Sequence, residues 1–336
     1  MVLETTFEAM KYIEVFDQDG LRAMKISEQE APQNTDFEVK IAVHAAGVNR
    51  ADILQRLGKY PAPAGISPIL GLEVAGEIVA IGRQVQGFQK GDRVMALLAG
   101  GGYAQFVVVD YRLLMPIPKH LDYIQAAGIP EVFLTAYQTL FTLGALRPKE
   151  QVLIHAGASG VGTAAIQLAH AWGAQVSVTA GTDEKVKFCQ KIGAHRAYNY
   201  KTQPWSTLVW EDTEGKGADV ILDCVGGDYV AKNIDCAALE ARIVLIGYMA
   251  NARAQDINLA KILQKRIVLK GSTLRARSLA YKRELIHSFN KDFKAALAAE
   301  ELKPVIDKVL PWQLADQAHQ RMEQNLNMGK IILTIS

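Results

Sequence analysis

Cysteine is scarce in this chain: Cys189, Cys224 and Cys236 are the three among 336 residues, and none stands at the paired spacing of a zinc site or a disulfide framework. That excludes a disulfide-stapled scaffold and a cysteine-clustered metal site, and the three thiols are expected to be packing residues in the second half of the chain. Long hydrophobic runs are missing too. No stretch is apolar over the roughly 20 residues that a bilayer span requires, and nothing resembles a leader, so a cytoplasmic protein without membrane contact is expected. Neither sign of charge dominates: 37 Lys and Arg stand against 35 Asp and Glu, a net charge of +2. There is no basic run, and no nucleic-acid partner is expected. What remains, 49% hydrophobic and 21% charged residues, is ordinary globular composition with length for about two domains. The first nine residues read as a loose extension.

The most informative stretch runs from Gln151 to Trp172, QVLIHAGASGVGTAAIQLAHAW. Val152, Leu153 and Ile154 have the branched, apolar character of a strand buried on both faces. Val161, Ala165, Leu168 and Trp172 recur on one helical face. Strand, tight turn and helix in that order aim unpaired N–H groups and the positive end of the helix dipole at a phosphate. A dinucleotide fingerprint places glycines at G-x-G-x-x-G. Gly157 and Gly162 fit, Ser159 holds the middle position with Gly160 after it, and the Ser159 hydroxyl can donate to phosphate where the glycine would have let backbone approach. Further strands are expected at Gln175 to Thr179, Asp219 to Cys224 and Arg242 to Gly247, separated by helical patterns. Such alternation predicts a doubly wound parallel sheet with its ligand at the carboxyl ends of the strands, where Gly181, Gly226 with Gly227, and Gly247 fall.

The end of the second of these strands bears on the nucleotide. An NAD site wants an acid there for the ribose hydroxyls, but the strand ends Thr179-Ala180-Gly181-Thr182, with no acid before Asp183. Thr182 reads as a helix N-cap with Lys185 in the first turn, where a cation is unfavourable unless an anion is near. NADPH supplies that anion in its 2′-phosphate, although Asp183 and Glu184 stand close by, and a solvated surface lysine is the plain alternative.

From Met10 to about Tyr123 the pattern changes to short strands, Phe37 to Ala45, Gly76 to Ile81, Asp92 to Leu97 and Ala104 to Val109, divided by glycine and proline turns. This is a separate, mostly antiparallel unit. Leu121 to Leu143 reads as helical, and Lys270-Gly271 closes the last strand of the parallel sheet. The rest, ending in Ile331, Ile332 and Leu333, is expected to return to the first unit. The division is a β-rich domain over residues 1–124, a nucleotide-binding domain over 125–272, and a return segment over 273–336.

These residues carry a resemblance. The β-rich opening, AGVNRADILQR (Ala46 to Arg56), GLEVAG (Gly71 to Gly76), HAGASGVG (His155 to Gly162), DCVGG (Asp223 to Gly227) and the terminal Gly329-Lys330 resemble, in that order and over nearly the whole chain, the medium-chain dehydrogenase/reductase superfamily. Within it the sequence is similar to the zinc-free quinone oxidoreductases related to zeta-crystallin. The resemblance implies an α/β protein made of a GroES-like β-rich catalytic domain and a Rossmann doubly wound nucleotide-binding domain. Zinc alcohol dehydrogenases of this superfamily carry Cys at the position of Asn49 and Gly-His-Glu where this chain has Gly71-Leu72-Glu73, and a four-cysteine lobe that Leu97 to Gly102 replaces. No metal is therefore expected. Without a Lewis acid, an acceptor that takes hydride easily, a quinone or an activated alkene, is favoured.

Asn49 and Tyr60 match family positions lining the nicotinamide and substrate cleft, where both can hydrogen-bond a carbonyl oxygen as it gains charge, and Tyr60 can relay a proton. The plain alternatives are a helix cap for Asn49 and packing beside Pro61 for Tyr60. Arg50 and Asp52 read as structural. Thr135, Tyr200 and Lys330 resemble cofactor contacts, joining Ser159, Gly160, Val161, Gly162, Gly181, Thr182, Lys185 and Gly226. Gly247 and Tyr248 border the nicotinamide half. Arg275 and Arg277 either reach phosphate or substrate or sit solvated.

The expectation is an NADPH-dependent quinone oxidoreductase. An NADPH-dependent enone or 2-alkenal reductase is the second reading, and a cofactor-binding structural or regulatory protein with little turnover the third. A homodimer is also expected, because Arg242 to Gly247 or Ile267 to Gly271 must form a sheet edge, and Leu259, Ile262, Leu263 and Ile267 offer apolar surface beside it.

Overall fold

A computed structural model of the chain describes residues 8–336. The expected loose extension lies outside the described residues for positions 1–7, and Ala9 already pairs in the first strand. Strands β1 (Ala9–Gln18) and β2 (Leu21–Glu30) form a hairpin across Asp19-Gly20. Both turn residues have positive φ, 53° and 80°, the conformation that Asp-Gly adopts in a two-residue hairpin. There follow β3 (Glu38–Val48), helix α1 (Arg50–Arg56), β4 (Glu73–Ile81), β5 (Arg93–Leu97), β6 (Phe106–Asp110) and β7 (Leu114–Pro116). Helices α2 (Tyr123–Ala126) and α3 (Pro130–Tyr137) come next, and α3 runs into a wide turn over Gln138–Leu143.

Alternation then begins: β8 (Gln151–Ile154), α4 (Gly160–Ala171), β9 (Gln175–Ala180), α5 (Asp183–Lys191), β10 (Arg196–Asn199), α6 (Trp205–Asp212), β11 (Ala218–Asp223), α7 (Tyr229–Cys236), β12 (Ala237–Leu245), α8 (Leu259–Lys265) and β13 (Val268–Gly271). The chain closes with α9 (Leu279–Ala298), β14 (Ile306–Pro311), α10 (Ala315–Glu323) and β15 (Lys330–Thr334).

Contacts divide the chain into two units. The first holds the residues up to 131, with 275–287 and 304–336. Its larger sheet has seven strands, ordered β14-β15-β3-β4-β5-β7 with β6 paired to β3. The last strand returns antiparallel to β3, with Ile331 opposite Val48 and Leu333 opposite Ala46. Ile331, Ile332 and Leu333 are wholly buried.

The second unit holds residues 132–274 and 288–303. Its sheet is parallel in the order β10-β9-β8-β11-β12-β13, the doubly wound arrangement whose strand order reverses between β8 and β11. Residues 288–303 lie in this unit, whereas the whole of 273–336 was expected to complete the first. The physical reason is aromatic. Phe289 and Phe293 pack against Phe133, Tyr137, Phe141 and Trp172, and Tyr137 donates its hydroxyl to Asp292 at 2.6 Å. Cys189 and Cys236 are buried here, as expected of packing residues, and Cys224 is half-buried.

Candidate functional site

In the second unit the chain leaves β8 at His155 and turns into α4 over Ala156 to Ser159. The left-handed residue of that turn is Ala156, at φ 53°, which a Cβ makes costly; Gly157 is not the residue that needs it. Gly157 is there for space, since a Cβ on it would meet the Val178 side chain at 2.8 Å. Ser159 caps α4, its Oγ accepting from the Gly162 N–H at 3.0 Å, while its backbone carbonyl accepts from Thr163. Gly160 and Val161 open the helix, where an N–H has no carbonyl behind it. The middle position of the fingerprint therefore supplies a cap, and the Ser159 hydroxyl hydrogen remains available to a ligand.

At the end of β9, Thr182 caps α5 as expected, accepting from the Lys185 N–H. Asp183, the acid closest to the strand end, is engaged elsewhere: Asn199 Nδ2 donates to its Oδ1 at 2.6 Å. Tyr200 is exposed with its hydroxyl against Gly181, where an added Cβ would approach it to 2.9 Å. Gly226 has φ 66° and would set a Cβ 3.1 Å from the Tyr248 backbone. Gly247 lies over the Cys224 carbonyl and Tyr248 is exposed. Thr135 is half-buried on α3, its carbonyl accepting from Thr139 Oγ1.

The first unit has a buried ionic centre. Lys330, on β15, places Nζ 2.6 Å from Glu73 Oε1 and donates to the Val48 carbonyl and Asn49 Oδ1, both at 2.7 Å. The Asn49 amide donates to Glu73 Oε1 at 2.9 Å and to the Gly47 carbonyl at 3.4 Å. Glu73 Oε2 accepts from the Glu131 N–H. Asp52 accepts from the N–H groups of Asn49 and Gly71, and burial raises its carboxyl to about 6. Glu131 is pushed higher, to about 8, by burial and the neighbouring charge of Glu73.

Three expectations change here. Lys330 uses all three of its donors within the protein and presents none to a cofactor. Asn49 has both amide hydrogens and its oxygen engaged, so it holds the centre together and has no donor left for an acceptor's carbonyl. Arg275 is neither solvated nor directed at phosphate: it is buried, donating to Ala99 O, Tyr60 O and Gln55 Oε1. Its guanidinium lies 5.3 Å from the Tyr60 ring centre, a cation–π placement. Arg50 and Asp52 are structural as expected, with Arg50 donating to Met322 O and Asn325 Oδ1. Arg277 rests over the Tyr281 ring at the wall of a cavity of about 490 Å³ that Asn49 and Tyr60 do not line.

Tyr60 stands apart. It is half-buried, its backbone N–H is spent on the Leu54 carbonyl, and among the described residues its hydroxyl makes no hydrogen bond. Burial raises its pKa above the ordinary value, so the phenol keeps its proton at neutral pH and can donate it.

The sequence also matches known proteins. Residues 35–119 match the alcohol dehydrogenase GroES-like domain and residues 160–291 the zinc-binding dehydrogenase family. Quinone oxidoreductase of Rattus norvegicus is 30% identical over 336 residues, covering 99% of this chain and 100% of that protein. The chain belongs to the medium-chain dehydrogenase/reductase superfamily, in its quinone oxidoreductase branch. Among solved structures of this superfamily, Pseudomonas syringae quinone oxidoreductase superposes with a TM-score of 0.85 at 27% identity, covering 97% of this chain and 99% of that one. The CurK enoyl reductase gives the same TM-score, identity and coverage.

As a member of this superfamily the protein is an oxidoreductase that uses a nicotinamide cofactor. The nucleotide unit fits that group: the α4 N-terminus offers unspent N–H groups at a strand-order reversal, with glycines at the surrounding strand ends. Zinc, which one family name carries, does not fit. Leu72 has no donor atom, the Asn49 oxygen already accepts from an ammonium, and Glu73 is paired with that same ammonium. Among the described residues no three His, Cys, Asp or Glu side chains are grouped to hold a metal. No helix among them is long and apolar enough to cross a membrane.

Two groups escaped sequence reasoning. Glu131 carries a signal only in hindsight, as an acid opening an otherwise apolar helix. The His155, Asn233 and Asp223 set is spread over 78 positions, and only the end of β8 brings it together.

Proposed function

We propose that this chain is an NADPH-dependent, zinc-independent quinone oxidoreductase. The observation that carries the cofactor choice is the end of β9, where Gly181 and the Thr182 cap stand in place of an acid and the Asp183 carboxylate is bonded to Asn199. Gly181 itself carries no side chain to repel a 2′-phosphate, and Lys185, in the first turn of α5 beside Asp183 and Glu184, is the cation nearest in sequence to serve as its counter-ion. The bound nicotinamide supplies a hydride. On the acceptor side, Tyr60 donates a hydrogen bond to the carbonyl oxygen that becomes negative, and Asn49 with Lys330 holds the surrounding backbone. Orientation and exclusion of water supply most of the rate.

Lys185→Ala tests the cofactor reading: NADPH binding should weaken by about 1–3 kcal/mol, the scale of a hydrogen bond to a charged group, with NADH binding unchanged. Equal weakening for both cofactors would sink it. Reduction of an enone or 2-alkenal is the second reading, favoured by the enoyl reductase likeness and by the Tyr60 proton, which saturating a double bond requires.

The same proposal includes a homodimer. Strand β13 forms one edge of the parallel sheet, with Val268 and Leu269 exposed on it and Leu259 and Leu263 on α8 exposed beside it. Ile262 and Ile267, expected to share that surface, instead pack into the unit's own core. Two copies meeting edge to edge would bury the four exposed side chains. Light scattering over a dilution series should give twice the 36.8 kDa chain mass; a monomer at high concentration would remove the dimer.

A further inference from the structure

Beneath the dinucleotide turn lies a buried polar chain that the proposed chemistry does not use. Asp223, at the end of β11, accepts through Oδ1 from the Val225 and Gly226 N–H groups at 2.7 and 3.0 Å. Its Oδ2 accepts from Asn233 Nδ2 at 2.9 Å. With the amide nitrogen of Asn233 facing the carboxylate, Oδ1 is left as an acceptor, 2.7 Å from His155 Nε2. The hydrogen of the neutral imidazole is therefore on Nε2, and Nδ1 accepts from Thr179 Oγ1 at 2.9 Å. Each of these four side chains is wholly or almost wholly buried. Trp205 and Tyr229 close the imidazole edge-on at 4.8 Å. Burial holds the His155 pKa below its ordinary value, against the opposing influence of Asp223 and Asn233.

The ends of this chain fall on the rim of the nucleotide site. His155 immediately precedes Ala156, the left-handed residue of the turn, and the Gly157 N–H after it is held by the Thr179 carbonyl. Thr179 lies two residues before Gly181 and three before the α5 cap. Asp223 fixes the Val225-Gly226 turn on the opposite side of β8. One set of hydrogen bonds thus spans the ends of β8, β9 and β11, the three strands that flank the order reversal.

We propose that Thr179, His155 and Asn233 form a brace that sets the shape of the dinucleotide rim, with His155 a positioning residue for the bound cofactor. The inference rests on the nicotinamide-nucleotide reading of this unit. His155 is wholly buried, with both ring nitrogens taken by Thr179 and Asn233. It acts through Asn233 and Asp223 on the Gly226 turn, and through Thr179 on the approach to Gly181. Loss of the brace loosens two sides of the site together, so affinity for the dinucleotide falls while the acceptor's KM, read at saturating cofactor, stays at the wild-type value.

Titration of the full-length protein with NADPH and with NADH, alongside thermal melting, gives the test. His155→Leu, which removes both links, should weaken binding of both dinucleotides roughly tenfold, the scale of one to two net hydrogen bonds. His155→Gln keeps a nitrogen donor for Asn233 and should recover about half of that loss on a logarithmic scale. Thr179→Val is close in shape, breaks only the β9 link, and serves where His155→Leu does not fold. Variants that melt lower yet bind NADPH as the wild type does would reduce the chain to core packing and overturn the proposal, as would a His155→Gln protein no better than His155→Leu. A wild-type protein that binds neither dinucleotide removes the cofactor reading itself, and this inference with it.

Discussion

In the β-rich unit, the buried carboxyls of Asp52 and Glu73 and the half-buried one of Glu131 share one neighbourhood with the ammonium of Lys330. In the nucleotide unit the buried polar chain holds a single carboxyl, Asp223, whose partners are all N–H groups, and a neutral imidazole. Both arrangements satisfy polar groups out of water, but they do so with different materials. An ion pair in a dry site gains much from its partner and loses much without it, because an unpaired charge cannot be rehydrated. A carboxylate met only by N–H donors, and linked through Asn233 to a neutral imidazole, has no cation to lose; its hydrogen bonds are directional and hold backbone turns in place. The ionic centre fixes the strands around Asn49 and leaves the Tyr60 hydroxyl unspent; the polar chain fixes the turns at the ends of β8, β9 and β11.

The largest effect expected from this contrast belongs to Lys330→Met. It leaves Glu73 charged at 0% exposure and should cost about 3–5 kcal/mol in urea unfolding. Adding Glu73→Gln removes the orphaned charge and should recover much of the loss. If Lys330→Met changed stability by less than about 1 kcal/mol, the value of an exposed pair, the centre would not be the dry ion pair described. Next comes Tyr60→Phe, which removes one hydroxyl from the acceptor side. By analogy with loss of a single oxyanion donor, kcat should fall on the order of a hundredfold, with NADPH affinity and melting temperature unchanged. An unchanged kcat would assign the acceptor's hydrogen bond elsewhere.

The last expectation concerns the pH dependence of stability, which has opposite signs in the two kinds of centre. Asp52 and Glu131 have folded pKa values raised to about 6 and about 8. The folded state therefore holds more protons than the unfolded one above the ordinary carboxyl range, and their contribution is full below that range and lost as pH rises toward 8. His155 is depressed, and so, outside the polar chain, is His319 beside Tyr103 in the β-rich unit, at about 3. For these the unfolded state takes up the proton first, so their contribution is full above the ordinary histidine range and lost as pH falls from there. Unfolding free energy measured across pH should show both limbs, with Glu131→Gln flattening the alkaline one and His155→Gln the acid one. A single limb common to both variants would contradict the assignment.

The parallel sheet was legible because its strands are continuous apolar runs ending in glycine, and Thr182 because a cap announces itself beside a helical pattern. The short strand β10 escaped, since Arg196 to Asn199 has neither alternation nor an apolar run, and the first hairpin escaped although Asp19-Gly20 is a hairpin dipeptide. At the site, motif position found Asn49, Lys330 and Arg275 but misread what each does. Their partners Glu73, Val48, Ala99 and Gln55 lie far away in sequence, and long side chains that look available on a motif are consumed when the fold closes around them. In the sequence His155 is only the first letter of a glycine motif; the side chains of Thr179 and Asn233, 24 and 78 residues on, give it a task.

The most direct test of the central reading is steady-state oxidation of NADPH and of NADH by the purified protein, with a panel of quinones and 2-alkenals and a chelator present throughout. We expect turnover with a quinone that the chelator leaves intact, with kcat/KM higher for NADPH than for NADH. Turnover abolished by the chelator, a preference for NADH, or no acceptor reduced with either cofactor would contradict it.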